Sequence, residues 1–149
     1  MQYDLAPGAA TKSGVQAVTD TGSQIFASST MDERTGGLSA FGGTVRFPRW
    51  VRVTWRDGVT PGHYWTTGTV VGDYQVEVLD RIPAEVFALA RAAPRRAIKL
   101  QFRVKDDGVL LAWSVEEHVK GGYVDLLHGG DFKRATLFNG KVIDPGWQK

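Results

Sequence analysis

Cysteine is absent from the 149 residues, which excludes disulfides, thiolate metal sites and cysteine nucleophiles. Charge of one sign is scarce too: 18 basic against 16 acidic side chains leave a formal net charge of +2. A dedicated nucleic-acid binder of this size carries more positive charge, gathered on one face, so this balance argues against that class. No apolar run approaches the ~20 residues that a membrane-crossing helix needs. The glycines build neither a P-loop nor a dinucleotide fingerprint, and no serine occupies a Gly-x-Ser-x-Gly elbow. Nothing in the chain calls for a cofactor.

Aromatic residues and sheet periodicity are what it does have. Five Trp, seven Phe and four Tyr, within 42% hydrophobic residues, are enough for a real core at this length. From Ile98 to Lys105, apolar and polar residues alternate. Ile98, Leu100, Phe102 and Val104 share one face, while Lys99, Gln101, Arg103 and Lys105 share the other. Asp107-Gly108 supplies turn chemistry, and Val109, Leu111, Trp113 and Val115 continue the apolar face on the return. The pattern predicts an antiparallel hairpin with one buried face and one wet face. Replacing Lys99 or Arg103 by alanine is therefore expected to be nearly silent.

Short strands are expected at 15–19 and 24–27 around an Asp20-Thr-Gly22 turn, before a glycine-rich loop from Ser28 to Gly43. Val45-Arg-Phe47 begins a strand that Pro48 interrupts and Trp50–Arg56 resumes. Segments 65–71 and 74–79 read as strands separated by Gly72-Asp73, and 123–127 as one ending in a His128-Gly-Gly-Asp131 turn. Asn139-Gly140 marks a hairpin, and Asp144-Pro-Gly-Trp147 closes the chain.

One helix is expected, over about 83–93. Pro83 suits a first helical position, and Glu85 and Arg91 suit the two ends of the dipole. Ile82, Val86, Leu89 and Ala93 form an apolar stripe, and Pro94 stops it. The fold class is β-rich α+β: an antiparallel sheet or sandwich with one short helix. Residues 1–14 read as a flexible arm ahead of a single globular domain at 15–149. The arm resembles the start of a mature region whose export signal was replaced by an initiator Met; the alternative is the loose end of a cytoplasmic protein.

Candidate chemistry is sparse. His63, His118 and His128 have no metal-ligand spacing with one another, since a specific site needs three or four convergent ligands. Glu116-Glu117-x-His118 reads as a solvated strand end, with a weak metal site as the alternative. His128 and Asp131 suggest either a base pair for proton transfer or a turn. The best binding surface is the run of Arg46, Arg49, Arg52 and Arg56 interleaved with Phe47, Trp50 and Trp55. Cations beside aromatic rings suit a protein hot spot, a single-stranded nucleic acid platform, or long side chains covering a half-exposed strand. Gly62-His63-Tyr64-Trp65 forms a second aromatic cluster, in or beside a loop. The expected partner-binding residues are Trp50, Arg52, Arg56, His63, Tyr64 and Trp65, with no catalytic and no metal residue.

A family resemblance rests on four features in order. They are Gly42-Gly43, then Phe47-Pro-Arg-Trp-Val-Arg-Val-Thr-Trp55, then Arg81-Ile-Pro83, then Lys105-Asp-Asp-Gly-Val-Leu-Leu-Ala-Trp113. Over roughly residues 36 to 116 the chain resembles small proteobacterial lipoproteins with a Leu-Pro-x-Trp and Val-x-Trp run after a glycine-rich stretch. Some of that group are encoded beside type VI secretion effectors and look like periplasmic immunity proteins. This chain departs from the pattern in Phe47 before Pro48 and in lacking a lipid-accepting cysteine. The resemblance implies a periplasmic inhibitor that blocks the active site of a cognate secreted toxin, its precursor carrying a lipid anchor. It brings over no functional residue. The alternatives are a cell-envelope hydrolase using His63, His118 or His128 as base, and a binder of carbohydrate or single-stranded nucleic acid on Trp50, Tyr64 and Trp65.

Overall fold

A computed structural model describes residues 1–34, 37–38, 46–132, 136–138 and 141–143. The strands are β1 (Gln2–Leu5), β2 (Lys12–Thr19), β3 (Gln24–Met31), β4 (Gly37–Leu38), β5 (Trp50–Asp57) and β6 (Thr69–Glu77), then β7 (Arg96–Val104), β8 (Val109–Val119), β9 (Gly122–Gly130), β10 (Thr136–Phe138) and β11 (Lys141–Ile143). One α-helix, α1 (Ala84–Arg91), follows a 3-10 turn at Leu79–Arg81. The strand orders are β3-β2-β5-β6, β4-β1-β7-β8-β9 and β10-β11. Strand pairs with a defined register run antiparallel. The fold is β-rich α+β, as the alternation predicts. No helix among the described residues is long and apolar enough to cross a membrane.

The chain divides into two compact units. The first comprises Met1–Arg81 with Phe102–Leu110, the second Ile82–Gln101 with Leu111–Lys149.

In the first unit the inward face of the four-stranded sheet is laid out in rows. Thr19, Val51 and Val76 are cross-strand partners, as are Ala17, Val53 and Tyr74. The third row sets Trp55 opposite Gly72. A Cβ at Gly72 would lie 1.9 Å from the indole, so the ring occupies the space a side chain would need. Gly72 therefore sits inside one continuous strand rather than between two, because Trp55 covers the gap the glycine leaves. Residues 65–68, expected in a strand, belong to the loop before β6. Arg46 and Phe47 lie outside any strand, and Val45, Gly42-Gly43 and Asn139-Gly140 lie outside the described residues, as does the closing Asp144–Trp147 segment.

The expected arm at 1–14 is instead structured: it holds β1 and the start of β2. Tyr3 is 1% exposed. Its ring stacks on Phe26 at 4.0 Å and on Phe102 at 5.9 Å between centroids. Short polar segments read as loose in sequence become strands when a single aromatic anchor is buried this well.

The central hairpin forms as expected, but its polar face is not uniformly wet. Gln101 is 2% exposed and Arg103 6%. Arg103 donates to both carboxylate oxygens of Asp4, at 2.7 and 3.0 Å, which is the bidentate geometry a buried guanidinium needs. Lys99, toward the strand's other end, is only partly exposed and pairs with Glu116 at 3.5 Å.

In the second unit, Pro83 caps α1 from outside its first turn with an extended ψ of 147°. Val86 is the helix's buried residue. β9 runs on through His128, Gly129 and Gly130, where a turn was expected. Trp113 lies opposite Gly129 and occupies its side-chain space, as Trp55 does for Gly72.

Candidate functional site

The predicted binding residues divide into two groups on the first unit. Trp50, Arg52, Thr54 and Arg56 share the face of β5 opposite Val51, Val53 and Trp55, as period-2 alternation requires. Trp50 and Arg56 stand six residues apart, about 20 Å along the strand. Trp50 is half-buried opposite Glu77, and Arg52 is exposed. The rest of this face mixes polar and apolar side chains: Gln16 donates to Gln24 at 3.3 Å and Gln75 to Glu77 at 2.9 Å, while Val18 lies opposite Arg52 and Val70 opposite Arg56.

Arg52 is not a free cation. Its Nε donates to Asp73 Oδ1 at 2.6 Å, and its Nη2 forms a second, shorter bond to Oδ2. The hydrogen bond from Arg52 holds the Asp73 carboxyl below its ordinary value, and the same bond raises the Arg52 guanidinium. Sequence reading missed Asp73 because Gly72-Asp73 looks like a turn. Antiparallel alignment of 50–56 against 71–77 would have placed it beside Arg52.

Arg56, His63, Tyr64 and Trp65 gather around the loop between β5 and β6. Trp65 is half-buried, and its indole N–H donates to the Val15 carbonyl at 3.1 Å. Tyr64 meets Trp65 edge-on at 6.0 Å. A Cβ at Gly14, whose φ is +56°, would lie 2.1 Å from the Tyr64 carbonyl oxygen. Only glycine allows the loop that approach. Thr67 completes the brace: its hydroxyl donates to the His63 carbonyl at 2.7 Å and accepts from the Thr60 N–H at 2.8 Å. Arg56 reaches the Thr67 carbonyl at 3.4 Å. Trp65 thus anchors the loop, while His63 is exposed at its tip. Thr67 and Gly14 carry no sequence signal for this role, since their partners are remote.

The histidines do not converge. His118 lies edge-on to Tyr123 at 4.3 Å, and His128 is 3.9 Å from Asp125. Asp131 is engaged elsewhere, accepting from the Leu111 N–H at 2.8 Å, so the expected His128–Asp131 alternatives of pair and turn both give way to strand β9. Glu116 pairs with Lys99 and Glu117 with Arg96, which removes both carboxylates from a metal cluster around His118. Among the described residues no three His, Cys, Asp or Glu side chains are grouped to hold a metal ion.

No protein-family model, curated protein or solved structure matches this chain.

A pH dependence follows from the ion pairs of this unit. Lys12, nearly buried and 5.5 Å from the centre of the Trp55 ring, pairs with Asp106. Its hydrogen bond, with a second from the Ala10 N–H, lowers the Asp106 carboxyl. A carboxyl whose folded pKa is depressed stabilises the fold above its unfolded value, and that stability is lost as pH falls through the folded value. Thermal unfolding should therefore shift to lower temperature on acidification from about the ordinary aspartate value of 3.8 downward. Asp106→Asn should flatten that acid limb; an unchanged limb in Asp106→Asn would remove this pair as a source.

Proposed function

We propose that the protein is a binding protein that neutralises a cognate secreted toxin by covering its active site, as an immunity protein of a type VI secretion system does. The observation that supports this reading is the loop between β5 and β6. Its backbone and side chains are fixed by Trp65, Thr67 and Gly14 before any partner arrives, while His63 projects from it. A preformed loop loses little conformational entropy on binding, which leaves more of the contact energy as affinity. Trp50, half-buried on the sheet face, and Tyr64 offer the aromatic anchors on which protein interfaces depend. The reading carries with it a periplasmic location and a lipid anchor on the precursor.

Because Arg52 is already neutralised by Asp73, affinity in this reading comes from aromatic burial more than from net charge. The complex should persist across about 50 to 500 mM salt, a range over which nucleic-acid complexes weaken steeply by counterion release. The test is co-purification with the product of the neighbouring gene, followed by that titration. A one-to-one complex that Trp50→Ala and Tyr64→Ala each weaken is the expected result. No complex, together with salt-sensitive binding to single-stranded DNA, would overturn the proposal.

A further inference from the structure

The second unit carries an open groove that the reading above does not use. It lies between the segment Pro94-Arg-Arg-Ala97, which leads into β7, and the His118-Val-Lys120 end of β8. The two sides are joined by a backbone hydrogen bond from the His118 N–H to the Arg95 carbonyl at 2.9 Å, so the groove is a built feature of the sheet's end. Arg96 is fixed within it: its Nε donates to Glu117 at 3.0 Å and its Nη1 to the Leu89 carbonyl at 3.1 Å. Arg95 and Lys120 are exposed and have no carboxylate partner among the described residues. His118 is held by its ring contact with Tyr123, which is 63% exposed.

Charge decides what such a groove would take. Of the three cations that line the groove, Arg96 is paired with Glu117, which leaves the two positive charges of Arg95 and Lys120 for a ligand. A phosphate monoester carries about −1.5 to −2 near neutral pH and offers three acceptor oxygens. A carboxylate, with one charge, would be matched by a single arginine. We propose that this groove binds a phosphate group, with Arg95 and Lys120 as its direct ligands, His118 beside them, and Arg96 held in reserve by Glu117. The site is independent of the toxin-binding reading, whose residues all lie in the first unit.

The experiment titrates the full chain with inorganic phosphate, with phenyl phosphate and with acetate, following backbone amide resonances. Saturable shifts confined to 95–97 and 118–120 are expected with both phosphates and not with acetate. Loss of one charge-assisted contact should weaken binding roughly tenfold in Arg95→Ala and in Lys120→Ala. Phenyl phosphate binding more tightly than inorganic phosphate would identify an ester as the source, and the reverse order the free ion. Shifts that do not saturate, that spread over other surface arginines, or that persist in the double Arg95→Ala, Lys120→Ala variant would overturn the site.

Discussion

Phe102→Ala should unfold the protein or bring it close to unfolding. The side chain is fully buried and lies at one end of an aromatic stack that continues through Tyr3 to Phe26. Deleting a buried phenyl ring costs about 3–5 kcal/mol, from lost transfer energy and from the cavity left behind. A small domain has only about 5–15 kcal/mol in total. The loss should be larger than the ring alone implies, because Tyr3 is what secures β1, and Tyr3 would lose one of its two stacking faces. Denaturant unfolding of the purified variant gives the measurement. A midpoint within error of the parent would mean that the Tyr3–Phe26 stack holds β1 without Phe102.

Arg103→Ala should be the second most damaging change, although the residue belongs to the face that alternation marks as wet. Removing one partner of a buried ion pair costs about 3–5 kcal/mol, because the other charge is left without its counterion. The low end applies here, since the Asp4 side chain is 20% exposed and recovers part of its hydration. The double variant Asp4→Leu, Arg103→Met should be more stable than Arg103→Ala, as apolar replacements remove the stranded charge along with the pair. Equal stability of Arg103→Ala and the parent would show that the bidentate contact contributes nothing, and would restore the simple wet-face reading.

The two changes together show where sequence reading succeeds and where it stops. Phe102 is legible because its burial follows from a local period of two: Leu100, Phe102 and Val104 all turn inward as the alternation predicts. Arg103 is not legible, because its partner Asp4 lies 99 residues away. The same distinction separates the two readings of the candidate site. That Trp50, Arg52 and Arg56 share one face of a strand is visible in the pattern. That Asp73 neutralises Arg52, or that Trp65 serves the loop by donating to Val15, depends on which strands become neighbours.

The glycines give the same lesson in another form. Gly72-Asp73 and His128-Gly-Gly have the composition of turns, yet both lie inside strands. Isolated glycine weakens a strand because it has no side chain to pack. Opposite Trp55 and Trp113 that defect becomes the space the indole fills.

By itself, the sequence determined the β-rich α+β class, the central hairpin, the inward face of β5 and the place of α1. Each follows from a spacing that the chain carries within about ten residues, since side-chain direction in a strand or helix is set by local geometry. Tertiary structure alone decided which polar residues are buried, which glycines continue a strand, and which cations keep a counterion. Those outcomes depend on the register between distant segments, and a charge or a gap is stabilised only by what the fold sets opposite it. Arg52 and Arg103 acquire carboxylates in this way, while Arg95 and Lys120 are left to face solvent across a groove.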